Sequence, residues 1–165
     1  MQRSIGTWIF RGHSVQSVEI KAVANRDFDV WLALRKGCQR FYEVDIRDSV
    51  TLRTWARLLD PVEPMCAALA MAGRRKLGLA HSIYHRSTWT TGDYCYLQDL
   101  FVACEARGGG VGRALIEHVY AEARRRGASG VYWSTHESDN NAMQLYDRVA
   151  ERSGVRFTEI GSANL

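Results

Sequence analysis

The run Arg107-Gly108-Gly109-Gly110-Val111-Gly112 constrains this chain more than any other stretch. A strand-like segment, Tyr94 to Val102, precedes it, and a helix-like segment from about Val111 to Arg125 follows. Strand, glycine-rich turn and helix in that order present free backbone N–H groups at the positive end of a helix dipole. Glycines let the main chain approach closely and adopt positive φ, and Arg107 and Arg113 add full charges. The pattern reads as a phosphate cradle, with a ligand-free glycine-rich hairpin as the alternative. Two other phosphate motifs do not fit. A P-loop needs Gly-Lys-Ser/Thr at the helix start, whereas Gly112 is followed by Arg113-Ala114. A dinucleotide fingerprint needs a glycine or alanine three residues after its second glycine; counted from Gly108 or Gly110, that place holds Arg113 or Leu115.

The rest of the chain alternates between strand and helix periods. Val18 to Val23 alternates with period two and predicts a first strand. Asn25 or Asp27 can cap the next helix, in which Phe28, Trp31, Leu32 and Leu34 have helical spacing and which Cys38 to Phe41 prolong past Gly37. A second helix is expected from Asp48 or Ser49 to Leu59, with Leu52, Trp55, Leu58 and Leu59 on its buried face and Pro61 ending it. Met65 to Met71 reads as a buried strand despite its alanines, turning at Gly73-Arg74-Arg75 into a hairpin partner from Lys76 to His85. Ser87 to Asp93 is a polar loop. After the glycine turn and its helix come a strand at Gly130 to Thr135, a helix at Asn140 to Glu151 and a last strand near Val155 to Ile160. A meander followed by alternating strands and helices makes a mixed α/β sheet in one domain, and 165 residues with 46% apolar content suffice for its core.

Composition narrows the function classes. The formal net charge of +4 suits a polyanionic ligand. The run Arg124-Arg125-Arg126 closes a helix, where cations favour the dipole, and no aromatic residues interleave with basic ones as a nucleic-acid stacking groove requires. Cys38, Cys66, Cys95 and Cys104 are scattered, with no Cys-x-x-Cys and no histidine at metal spacing, which reads as a reduced, cytoplasmic protein without a metal. The longest apolar run, Met65 to Ala72, is too short to span a bilayer.

Arg-x-x-Gly-x-Gly, as it stands at 107–112, resembles the pyrophosphate-binding turn of the GNAT acetyltransferases, which use acetyl-coenzyme A. Tyr96 to Val102 resembles the family's central strand. Val131-Tyr132-Trp133-Ser134-Thr135-His136-Glu137-Ser138 and Ala142-Met143-Gln144-Leu145-Tyr146-Asp147 resemble its next strand and a helix carrying a Leu-Tyr pair. The combination is most similar to the branch of histone and polyamine acetyltransferases, which includes a D-amino-acid N-acetyltransferase. The resemblance implies the GNAT, or acyl-CoA N-acyltransferase, fold over residues 18–165, with residues 1–17 as an N-terminal extension. It also implies a homodimer.

The activity so implied is N-acetyl transfer from acetyl-coenzyme A to a primary amine, directly and in a ternary complex. The acceptor stays open between polyamine, protein lysine, amino acid and small metabolite. Cofactor contacts would come from the main chain of Leu100, Phe101 and Val102, from the turn residues Arg107, Gly108, Gly109, Gly110, Val111, Gly112 and Arg113, and from Asn140. Leu100, Phe101 and Val102 read as core by their side chains. Tyr146 takes the general-acid position, and a phenol pKa of about 10 suits protonation of a leaving thiolate.

Two places depart from the family pattern. Where Asn is usual, three residues before Ala142, stands Asp139, followed by Asn140 and Asn141; Asp lacks the amide donor. Where Glu-Asp is usual on the central strand stands Gln98-Asp99, and Gln98 cannot act as a base. A carboxylate base would be Asp99, Glu137 or Asp139, or else a water chain serves; Asp99 reads equally as an ammonium anchor or as structure. The departures leave a second reading, a non-catalytic coenzyme A-binding module with a regulatory or partner-binding role. His81, His85 and His136 have side chains that titrate near neutral pH, although a lone strand histidine is ordinarily a packed or solvated residue.

Overall fold

The computed structural model describes residues 17–135 and 140–149. They fall in two compact units, one ending at Trp133 and one beginning at Ser134. The first holds a five-stranded sheet in sequential order, β1 (Glu19–Ala22), β2 (Met65–Ala72), β3 (Arg75–His85), β4 (Tyr94–Val102) and β5 (Gly130–Tyr132). Neighbours from β1 to β4 are antiparallel, and β5 runs parallel to β4. Helices α1 (Phe28–Phe41), α2 (Asp48–Leu59) and α3 (Val111–Arg125) complete this unit. The second contains α4 (Asn140–Val149). The expected last strand near Val155 to Ile160 lies outside the described residues.

Strand alternation separates the two faces of the sheet. Leu69, Leu79 and Phe101 join Trp31, Leu34 and Cys38 of α1 and Trp55 and Leu58 of α2 in one buried cluster. Gly78 lies on the opposite face, where an added Cβ would stand 3.2 Å from Leu115 and 3.4 Å from Val111 of α3. Being covered on both faces, β2 keeps Ala67, Ala68, Ala70 and Ala72 buried. Alanine is a helix former, but here tertiary packing decides and small side chains let both helix layers approach. Gly37 within α1 has a similar cause: a Cβ there would meet the Phe101 ring at 2.9 Å. That close approach seats α1 directly over β4.

Three local expectations are corrected. In α2 the buried stripe is Thr51, Trp55 and Leu58, while Leu52 is 57% exposed. The i, i+4, i+7 row selects Thr51, and hydrophobicity alone had selected its neighbour. At the start of α1, Asp27 does not cap forward into the helix; its carboxylate accepts from Lys21 Nζ at 2.7 Å and from the backbone N–H of Ala24 at 3.0 Å. The strand expected over Gly130 to Thr135 stops at Tyr132, where pairing with β4 ends.

Candidate active site

The site is built around a divergence of strands. β5 pairs with β4 only through Tyr94, Tyr96 and Cys95, the last pair being Tyr96 with Tyr132. From Leu97 to Val102, β4 has β3 on one side and, among the described residues, no strand on the other. The chain then makes a single 3₁₀ turn at Cys104–Ala106 and enters the glycine turn. Gly108 and Gly110 have φ of 73° and 79°, a region that side chains with a Cβ enter only with strain. The space a Cβ would take at Gly108 is open.

Gly110 is the residue before α3, and the first bond of that helix runs from the Ala114 N–H to the Gly110 carbonyl at 3.0 Å. The N–H groups of Val111, Gly112 and Arg113 therefore have no acceptor within the helix, and among the described residues no side chain caps them. Backbone donors at a helix start, approached through glycines, form a place where an anion fits. The arginines are placed less simply. Arg107 Nε donates to the Val102 carbonyl at 3.1 Å, and its guanidinium lies 4.9 Å from the centre of the Phe41 ring, which fastens the turn to the ends of β4 and α1. Arg113 is paired with Glu117 at 2.7 Å on the helix surface.

The two faces of β4 carry different chemistry. Leu100 and Val102, opposite Ala80 and Gly78, belong to the α3 face and are half-buried. Asp99 and Phe101, opposite His81 and Leu79, belong to the α1 face. The register shifts between them and the rest of the strand: His81 faces Asp99, but Ser82 faces Leu97. Gln98 is the extra residue of a β-bulge and is exposed. The bulge re-aims Asp99 onto the side of the buried aromatic cluster.

There Asp99 meets His81. Asp99 Oδ2 lies 2.8 Å from His81 Nδ1, and His81 Nε2 lies 2.8 Å from Trp31 Nε1. His81 and Trp31 are buried, while the Asp99 side chain keeps 29% exposure. An indole N–H only donates, so His81 Nε2 accepts and the imidazole proton sits on Nδ1, donating to Asp99. Burial pushes the Asp99 carboxyl up, but the His81 hydrogen bond, the charge His81 carries when protonated and the Arg35 charge outweigh it and hold the acid below the usual carboxylate range. Nothing in the spacing of Trp31, His81 and Asp99 announces this chain of contacts.

Further along the same strand the aromatic side chains gather. Tyr96 stacks on Tyr132 with ring centres 5.0 Å apart, Tyr94 stacks on His85, and His85 Nε2 lies 2.9 Å from the Tyr132 hydroxyl. The alternation Tyr94-x-Tyr96 is a signal that could have marked this cluster. On α4, Asn140 is the first residue and Tyr146 is half-buried in the second turn. His136, Glu137 and Asp139 lie outside the described residues.

Comparison with known proteins places this arrangement. The model of the acetyltransferase (GNAT) family matches residues 31–150. A D-amino-acid N-acetyltransferase of Saccharomyces cerevisiae is 35% identical over 138 residues, 82% of this chain and 86% of the yeast protein. A thialysine N-epsilon-acetyltransferase of Caenorhabditis elegans is 31% identical over 81 residues, 49% of this chain and about half (50%) of the nematode enzyme. Among solved structures, an aminoglycoside N-acetyltransferase in complex with coenzyme A superposes with a TM-score of 0.76 at 17% identity, over 88% of this chain and 95% of that one. An aminoglycoside acetyltransferase from a soil metagenome gives 0.73 at 20% identity, over 88% and 97%.

Proposed function

The chain belongs to the GNAT acetyltransferase family and is an N-acetyltransferase, and from that premise we propose that it acetylates a small primary amine by direct transfer within a ternary complex. Acetyl-coenzyme A supplies the activated acetyl group. The observation that carries the proposal is the glycine turn opening into α3, where N–H groups of Val111, Gly112 and Arg113 lack helical acceptors beside a β4 edge that has left its neighbour.

In this reading the turn from Arg107 through Gly108, Gly109, Gly110, Val111 and Gly112 to Arg113 holds the pyrophosphate by main-chain donors. The main chain of Leu100 and Phe101 orients the pantetheine arm and the carbonyl to be attacked. The Val102 carbonyl already serves Arg107, so Val102 contributes through its N–H side or by shape. Tyr146 Oη holds the proton due to the leaving thiolate, and Asn140 orders the adjoining arm; both roles come from the residue pattern Ala142-x-x-Leu145-Tyr146. Asp99 binds the acceptor's ammonium. A carboxylate held below its usual range is a good anchor for a cation and a poor proton acceptor at neutral pH, which favours anchoring over base catalysis.

Direct transfer is supported by three of the four thiols, Cys104 being exposed. Burial pushes Cys38 up to about 12 and also raises Cys66 and Cys95, and raised thiols are weak nucleophiles. The relatives are named for D-amino acids and thialysine, so an amino-acid-like amine is the acceptor class put first. Residues 18–165 form the transferase domain with 1–17 as its extension, and the enzyme works as a homodimer in the cytoplasm. No helix among the described residues is long and apolar enough to cross a membrane. Initial velocities measured against both substrates test the mechanism: intersecting lines are expected, and the parallel lines of an acyl-enzyme would contradict it. Light scattering tests the dimer.

A further inference from the structure

We infer that Trp31 and His81 position the acceptor amine: the Trp31 indole N–H locks His81 as a neutral imidazole protonated on Nδ1, and that N–H fixes Asp99 with its Oδ1 left for the substrate's ammonium. The inference rests on reading Asp99 as the ammonium anchor.

The geometry is a buried chain of two 2.8 Å hydrogen bonds with one consistent set of proton positions. Trp31 is 0% exposed and His81 5%, so no water replaces either partner. A second proton on His81 would set N–H against N–H at Nε2 in a dry site, which is strongly disfavoured. Asp99 therefore receives a neutral donor and not a counter-ion. Its charge stays available to a cation, while one oxygen, Oδ2, is held in place. Among the described residues Oδ1 has no hydrogen-bond partner, and the side chain reaches solvent.

The surrounding groups reinforce the lock. From α1, the charged group packed beside the lock is Arg35, 5.4 Å over the Trp31 ring, and Cys38 is a neutral thiol. From α2 the neighbour is Trp55, and from β2 the residue opposite His81 is Ala67, neither of them titratable. The lock also closes one proton route. A proton taken up by Asp99 cannot pass onward through His81, because the imidazole's lone pair is engaged by an N–H that has no lone pair behind it. The amine's proton leaves by another group or by water.

Nitrogen-resolved NMR of the histidines in the full chain tests the lock. His81 is expected as the Nδ1–H tautomer, with Nε2 accepting from the indole. Finding the Nε2–H tautomer, or an imidazolium at pH 7, would overturn the inference. Trp31→Phe keeps an aromatic ring and removes the donor, and equal acetyl-coenzyme A titrations verify its fold. With the indole donor gone, His81 Nε2 can take a second proton and form an ion pair with Asp99, so the variant's KM for a cationic amine should rise ~4-fold or more from pH 8 to pH 6, beyond any change in the wild type. A KM that tracks the wild type across that range would also overturn it. An unchanged amine KM in Asp99→Asn would instead remove the anchor reading, an outcome the His81 spectrum separates from failure of the lock.

Discussion

The two faces of β4 are built by different means. Toward α3 and the glycine turn, the candidate site is made of backbone: glycines at positive φ, N–H groups without helical acceptors at a helix start and a strand edge that has no partner among the described residues. Toward α1 it is made of side chains, with Asp99, His81 and Trp31 in a single hydrogen-bonded line. In the proposed function the difference suits the ligands. A polyanion common to many enzymes would be held by groups any sequence can provide, given the glycines. An acceptor amine that distinguishes one enzyme from another would be met by side chains that can vary without disturbing the turn.

Five substitutions would break or sharpen this contrast, taken here from the largest expected effect to the smallest. Gly110→Val should remove measurable acetyl-coenzyme A binding in a calorimetric titration, because it forces a β-branched residue to φ near 79° and crowds the anion cradle. Gly112→Val should do the same through crowding, and equal titrations for both variants and the wild type would show that the cradle is elsewhere. Tyr146→Phe belongs to neither face. It should lower kcat by roughly 10²-fold with little change in acetyl-coenzyme A affinity, the range of a positioned proton donor, and nearly full activity would end that assignment.

Asp99→Asn should leave acetyl-coenzyme A affinity intact and raise the KM of a cationic amine about 10-fold, the worth of one partly exposed charge-assisted hydrogen bond. Asp27→Asn is the control outside both faces. It weakens the buried carboxylate's bonds to Lys21 and Ala24 and should cost about 1.5–3 kcal/mol in chemical denaturation without moving either substrate's affinity. Burial pushes Asp27 up, but the Lys21 and Ala24 hydrogen bonds prevail and its folded pKa is depressed. Its stabilisation is thus fully present above the unfolded value of about 3.9 and is lost as pH falls through the lower folded value, so wild-type Tm should be steady from pH 5 to 7 and drop only in stronger acid.

What was legible in the sequence follows the same division. β4 (Tyr94–Val102) and α3 (Val111–Arg125) have the bounds expected from local pattern, and the turn between them has the positive φ its glycines suggest. These features depend on residues adjacent in the chain. The Trp31–His81 bond joins positions 50 apart and the His81–Asp99 bond positions 18 apart, so neither leaves a periodic trace. The bulge at Gln98 was hidden as well, since an extra residue shows only against the partner strand's register. Thr51 in place of Leu52 in the α2 core marks a smaller limit: a seven-residue row, and not hydrophobicity residue by residue, decides what a helix buries.

The most direct measurement of the central claim is thiol release from acetyl-coenzyme A against a panel of cationic amines, amino acids first, for the wild type, Asp99→Asn and Gly110→Val. The wild type should turn over at least one amine. Asp99→Asn should lose activity through the amine's KM alone, and Gly110→Val through acetyl-coenzyme A binding alone. Both variants failing in the same parameter, or a wild type that binds acetyl-coenzyme A and releases no thiol with any amine, would contradict the account.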